Sequence, residues 1–354
     1  MRVNPIAVLP FFLTALFAGG PRVLTCASCH PEQAREHGRT LMADTLVPGD
    51  SPRILRGLPD MSFQLGPYRY RVERQGDQNY YEVTDGRETY RALILWGVGQ
   101  GEAGQTYVLD RDGELRESRV SYYKEENGLA VTIGAPPGEP KNLAEAAGRV
   151  MKAKDVGECF VCHTSPATAR KPANPFGSQA WAHEDRIAGV QCESCHTGAY
   201  QHQEMLRHSD PKATRPASLK DLGAEEMNDV CGACHKTWAD IKLNGPRGIG
   251  NVKFQPYRLT LSKCFDASDP RIACTACHDA HNRPLPVPSP ERYDAVCKSC
   301  HTGTAAAKAK AVSCKTGAEK CVTCHMPKTD MPGSHHLFAD HRIRIAKAGE
   351  PYPD

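Results

Sequence analysis

The segment CTACHDAH, Cys274 to His281, sets two thiols three residues apart and then two imidazoles three residues apart. Thiols at C-x-x-C spacing chelate zinc, cycle as a redox dithiol, or add across the two vinyl groups of a porphyrin. An imidazole directly after the second thiol selects the last of these, because it then lies beneath the iron as the proximal ligand. The same five-residue unit occurs seven times: Cys26, Cys29 and His30; Cys159, Cys162 and His163; Cys192, Cys195 and His196; Cys231, Cys234 and His235; Cys274, Cys277 and His278; Cys297, Cys300 and His301; Cys321, Cys324 and His325. The chain has 354 residues and fifteen histidines. Seven chance placements behind seven C-x-x-C pairs then have odds on the order of one in several billion, which removes the zinc-ribbon reading. The sequence predicts seven covalently attached c-type haems.

What occupies the other face of each iron sets potential and reactivity. Eight histidines lie outside the motifs: His37, His183, His202, His208, His281, His335, His336 and His341. His281 is three residues past His278 and cannot pass round the porphyrin bound there, so it is expected to ligate a different haem and to hold two haems close together. His37 follows His30 by seven residues on the same helical face and cannot serve its own haem. Of the adjacent pair, one ligand is expected, assigned to His336. His183, His202, His208, His281, His336 and His341 then supply six irons. The N-terminal haem needs another group, and Met42 offers a thioether that would raise its potential. The alternatives are Met42 as a packed apolar residue, a histidine from the far domain, or an open iron. Two cysteines are left over, Cys264 and Cys314. A disulfide between them is expected in an exported chain, against the alternative of two unpaired buried thiols.

The elements that must position these groups divide unevenly along the chain. Residues 1–20 read as a cleaved signal peptide: Arg2, then an apolar run too short to span a bilayer, then small residues at Ala18 to Gly20. Residues 21–50 form a single-haem segment. No cysteine or histidine occurs from 38 to 158. Within that gap, residues 55–135 alternate apolar or aromatic with polar side chains between turn pairs such as Gly76-Asp77 and Asp112-Gly113, which predicts an antiparallel meander of roughly five or six strands. This module reads as a docking or spacer domain or, more simply, as a structural cap over haems. Gly99 to Gly104, GQGEAG, fits a dinucleotide fingerprint but precedes a strand pattern rather than a helix, so it is expected to be a turn. Residues 136–158 are expected to be a helical linker, 159–345 a six-haem domain and 346–354 a tail.

In the six-haem region one motif falls about every 28 residues, below the size at which a polypeptide core stands alone, so porphyrins must serve as core. The fold expected there is mostly α and irregular, with a proline-rich connector at Arg283 to Pro290. The chain alone carries a formal charge of +3. Two propionates against one ferric porphyrin charge make each haem worth about −1, so seven lower the total to about −4; fully reduced it is about −11. No nucleic-acid partner is expected.

CFDASDPRIACTACHDAH, CVTCHMPK and HHLFADHRI resemble the C-terminal multihaem module of exported cytochromes c with doubled C-x-x-C-H units. CASCHPEQAREHGRTLM and the tyrosine-rich strands after it resemble the N-terminal part of the same group, which is related to tetrahaem and octahaem cytochromes c and often associated with tetratricopeptide-repeat proteins. The resemblance covers most of the mature chain. It implies distal-ligand positions at His281 and His341 and paired cysteines at Cys264 and Cys314. Thr40-Leu41-Met42 stands where relatives often carry S-x-H. No C-x-x-C-K unit of the kind found in cytochrome c nitrite reductase occurs. The fold expected is that of a multihaem cytochrome c, a haem-packed domain mostly α and irregular beside a small antiparallel β-meander domain. The function expected is single-electron transfer between other redox proteins, as donor and acceptor, in the periplasm or outside the cell, with no transmembrane span in the mature chain. The rival expectations are an oxidoreductase acting on a small nitrogen or sulfur compound at one open haem, and self-assembly into a conducting filament.

Overall fold

A computed structural model describes residues 25–166, 186–210, 212–216, 218–282, 289–302, 314–315, 317 and 319–353. The signal peptide expected over 1–20, His183 and residues 283–288 of the connector lie outside them. The ordered heart of the N-terminal half is a curled antiparallel sheet. Its strands are β1 (Leu46–Pro48), β2 (Asp60–Leu65), β3 (Tyr68–Gln75), β4 (Gln78–Thr84), β5 (Thr89–Val98), β6 (Thr106–Arg111) and β7 (Glu114–Ser118). Strands β2 to β7 pair in chain order, a six-strand meander, while β1 joins the C-terminal end of β5.

Period-two alternation drives these strands: Tyr68, Tyr70 and Val72 point inward on β3 while Arg69 and Arg71 face water. The register lines the inward residues into rows across the sheet. Met61, Val72, Tyr81 and Ala92 form one row, and Phe63, Tyr70, Val83 and Tyr90 form the next. Such aromatic and β-branched neighbours are the stabilising unit of a sheet. The turn Asp112-Gly113 has both residues at positive φ, 54° and 86°, the primed geometry whose twist matches that of the flanking strands. Gly99 to Gly104 is the loop joining β5 to β6 and leads into a strand, not a helix.

Two features add strands to the expected five or six. Hairpin β8 (Val120–Tyr123) and β9 (Gly128–Val131) closes over the inner face, adding Val120, Tyr122 and Leu129 to the core. Residues 136–158, expected to be helical, include a strand, β10 (Gly148–Val150), paired on β7 between two helices, Leu143–Ala147 and Ala153–His163. It is a strand because the sheet edge at Glu117 offers backbone partners that a local helix would forgo.

The C-terminal half has short helices, the longest described spanning twelve residues, and two-stranded fragments. One small apolar cluster there joins Ala224, Met227 and Ala273 with Leu219, Leu222 and Phe265, and Ile241, Val252, Tyr257, Leu259 and Met331 are also buried. Between the halves, Trp96 of β5 meets Phe160 edge to face at 5.8 Å, and Leu46, Val108, Met151 and Val156 complete that junction.

Candidate functional site

All seven C-x-x-C-H units fall on helical turns. Three are single turns, Cys26–Cys29, Cys192–Cys195 and Cys274–Cys277, with the histidine as the residue that ends the helix. Four lie at the end of helices that stop on the histidine itself: Ala153–His163, Ala224–His235, Pro290–His301 and Cys321–His325. Helical spacing puts each thiol pair, three residues apart, on one face. The imidazole follows where the helix ends and the chain is free to turn.

The units meet in an order different from their order along the chain. The Cys26 thiol lies within hydrogen-bond reach of that of Cys192, so the first unit abuts the third. Cys195 neighbours Cys231, and Cys231 lies within reach of Cys274. Cys162 lies within reach of Cys234, which sets the second unit beside the fourth. Cys277 neighbours Cys297, and Cys297 lies within reach of Cys321, reaching the seventh unit. Thiols attach at the porphyrin edge, so haems on these units would lie edge against edge.

The N-terminal segment is tied to this array through the backbone. Val190 N–H donates to the Met42 carbonyl at 2.9 Å, Gln191 Nε2 donates to the Ala43 carbonyl at 3.1 Å, and His163 Nδ1 lies 3.0 Å from the Thr45 carbonyl. Gly189, at φ +78°, sits so close to the Ala43 carbonyl that a Cβ would overlap it. The first and third units are therefore held together by main-chain contacts that sequence spacing does not reveal.

Two imidazole pairs test whether these residues fit an iron. His196 and His281 have parallel rings, 4° apart in plane, with centroids separated by 6.0 Å; His278 and His341 stand 6.2 Å apart at 32°. Two metal–nitrogen bonds of about 2 Å plus half a ring on either side require about 6 Å between centroids, so the spacing of both pairs leaves room for one metal between the rings. Burial pushes His196, His163 and His235 below the ordinary histidine value and His341 down to about 4. The imidazoles are thus neutral near pH 7, the form that ligates metal.

Nδ1 is the committed nitrogen on most of these rings. It faces the Thr45 carbonyl in His163, Gln255 Oε1 in His235, the Arg344 carbonyl in His325, the Thr214 carbonyl in His202 and the Ala339 carbonyl in His341. In the adjacent pair it faces Glu126 at 3.2 Å in His335 and Glu125 at 2.7 Å in His336. A partner on Nδ1 fixes the tautomer and leaves Nε2 for a metal. His37 is the reverse: buried, with Nε2 spent on the Val190 carbonyl at 2.8 Å. His208 is exposed and faces Glu204 of its own helix. The Met42 side chain is half-buried in the turn before β1.

Cys264 lies near Cys277, Cys297 and Cys300. Sequence reasoning missed the Nδ1 partners. Backbone carbonyls carry no sequence signal, although the acidic pair Glu125-Glu126 at a hairpin tip was visible as a counterpart to two adjacent histidines.

Residues 135–197, spanning the second and third units, match the family described as cytochrome c554 and c-prime. Residues 269–306, spanning the fifth and sixth, match the doubled CXXCH motif family. The chain is similar to the multiheme cytochrome MtrA of Shewanella baltica (strain OS185), with 28% identity over 183 residues, covering 51% of this chain and 48% of that protein. It thus spans about half the length of that curated relative. No solved structure matches it. Among the described residues, no helix is long and apolar enough to cross a membrane.

Proposed function

We propose that this chain is a multihaem cytochrome c that conducts single electrons through seven haems held mostly between two histidines each. The observation that carries the reading is the pair of facing imidazoles, His196 with His281 and His278 with His341. A bound haem supplies one-electron iron chemistry. The chain's residues do the rest. Fourteen motif cysteines would anchor the groups; His30, His163, His196, His235, His278, His301 and His325 would each give one nitrogen to an iron, and His281 and His341 would give second ones. His183, His202, His208 and His336 are proposed as further distal ligands, His202 and His336 with support from their committed Nδ1 atoms. Irons held on both faces change oxidation state with little rearrangement and leave no position for substrate.

Contact between thiols of successive units supports short steps along the array. Other redox proteins act as donor and acceptor. Export to the periplasm or cell exterior is proposed from the leader-like sequence over residues 1–20. An oxidoreductase reading has one observation in its favour: His37 spends its Nε2 on Val190, so the N-terminal iron would depend on Met42 or a histidine from the far domain, or stand open.

One preparation tests both. The mature protein should carry seven added haem masses and give ferric spectra that are entirely low-spin and unmoved by cyanide or nitrite. Fewer than seven haems refutes the count. A high-spin fraction near one in seven that binds cyanide refutes the pure carrier in favour of an enzyme.

A further inference from the structure

Arg258 and Asp340 are both wholly buried and joined by two parallel hydrogen bonds, Nε to Oδ1 at 2.9 Å and Nη2 to Oδ2 at 3.0 Å. A fully desolvated ion pair is a costly way to join two segments, since apolar residues of equal volume usually stabilise as well or better. What a guanidinium fork on a carboxylate adds is direction.

The residue that this direction serves is the next one, His341. Asp340 Oδ1 also accepts the Arg342 N–H at 3.0 Å, so its carboxylate bridges the backbone on either side of His341. Ser262 Oγ donates to the His341 carbonyl at 3.3 Å and accepts the Ile343 N–H at 2.8 Å. Asp340 N–H donates to the Pro327 carbonyl at 3.0 Å, and Arg344 N–H to the His325 carbonyl at 3.2 Å. The ring itself is steered through Nδ1 by Ala339, which leaves Nε2 uncommitted on an imidazole 6.2 Å from His278.

The remaining donors recruit the end of the chain. Arg258 Nη1 reaches Asn251 Oδ1 at 3.2 Å and the Pro353 carbonyl at 2.9 Å, its guanidinium lies 4.7 Å over the Tyr352 ring, and Tyr352 Oη donates to Asn251 at 3.0 Å. Arg344 links Asp340 Oδ2 at 2.8 Å to Glu350 at 3.0 Å. The tail thus covers the pair and keeps water from screening it.

We infer that Arg258 and Asp340 are positioning residues for iron ligation: they set His341 opposite His278, with the C-terminal tail as their seal. The inference deepens the two-histidine reading above and rests on it. Helix Gln255–Thr260, between the fourth and fifth units, and the strand after the seventh are thereby locked to one ligand of the fifth.

The test is spin state in the exported, haem-loaded protein. Asp340→Ala should retain seven haem masses but convert about one ferric haem in seven to high-spin. The low-spin signal lost should be the one lost in His341→Ala, and added imidazole should restore it. Glu350→Ala, which cuts only the half-buried link from Arg344 to the tail and leaves the Arg258–Asp340 fork intact, should stay low-spin. If Asp340→Ala does not accumulate because Arg258 is left unpaired, the double substitution Arg258→Met with Asp340→Leu removes the orphan charge and carries the same expectation. Seven low-spin haems in a variant that is merely less stable would overturn the positioning role and leave the carrier reading intact. A high-spin fifth haem in the unsubstituted protein would instead sink the two-histidine reading on which it rests.

Discussion

In the sheet, Met61, Val72, Tyr81 and Ala92 line up across four strands and exclude water by themselves. Between Cys192 and His325 the buried apolar side chains among the described residues are fewer: Ala224, Met227, Ile241, Val252, Tyr257, Leu259 and Ala273. Both regions must bury enough surface to offset chain entropy, and only the first has the side chains to do it. The second has helices of four to twelve residues, too short to be stable alone in water, whose thiol-bearing faces meet one another rather than a polypeptide core. The contrast sets a domain whose own side chains make its core against one for which we propose an interior delivered as cofactor.

Withholding haem should break the comparison most strongly. In chain produced without haem attachment, amide exchange is expected to find protection over residues 60–150 and almost none over 186–345. Protection in the C-terminal half without haem would show that porphyrin is not its core. The next largest effect belongs to the sheet: Tyr107→Ala removes a wholly buried ring and should cost about 3–5 kcal/mol in denaturant melts of the N-terminal half, with haem spectra unchanged. Gly189→Ala, strained at positive φ and overlapping the Ala43 carbonyl, should cost about 1–3 kcal/mol or more and loosen the first haem from the third. The readout is the magnetic coupling between those two irons.

Alkali should also discriminate. Burial pushes Tyr70 up to about 12 and raises Tyr81, Tyr107 and Tyr123. The unfolded chain then loses phenol protons near pH 10 while the folded sheet keeps them. Sheet stability is present below about pH 10 and should fall as pH rises toward 12, by about 1.4 kcal/mol per pH unit for each such tyrosine. Tyr107→Phe, which removes a buried hydroxyl with no hydrogen-bond partner, should shift that loss to higher pH in alkaline melts. The smallest effect expected is electronic. Glu125→Gln weakens the carboxylate behind His336 Nδ1 and should raise the potential of one haem in a redox titration, leaving the others unmoved.

Much of the site was legible because its chemistry is local. C-x-x-C-H places two thiols and an imidazole within five residues, so composition and spacing alone give the haem units, and the strands between Tyr68 and Gln75 or Gln78 and Thr84 declare themselves by strict alternation. Distal ligands were legible only as a pool. His281 could be excluded from its own haem by reach, yet nothing in the chain says that it meets His196, 85 residues earlier. The edge strand at Gly148–Val150 was hidden for a related reason: three residues carry too little pattern, and a partner strand defines them.

By itself, then, the sequence determined which groups are covalently competent, how many there are, and where a cofactor-free module interrupts them, because bond-forming chemistry and two-residue periodicity act over a few ångströms of chain. Tertiary structure alone decided which unit touches which, which histidine neighbours which, and that Cys264 lies near the cysteines of the fifth and sixth units. Those outcomes depend on long-range backbone contacts such as Val190 to Met42 and on the buried fork of Arg258 on Asp340, 82 residues away, where geometry rather than residue type selects the partner.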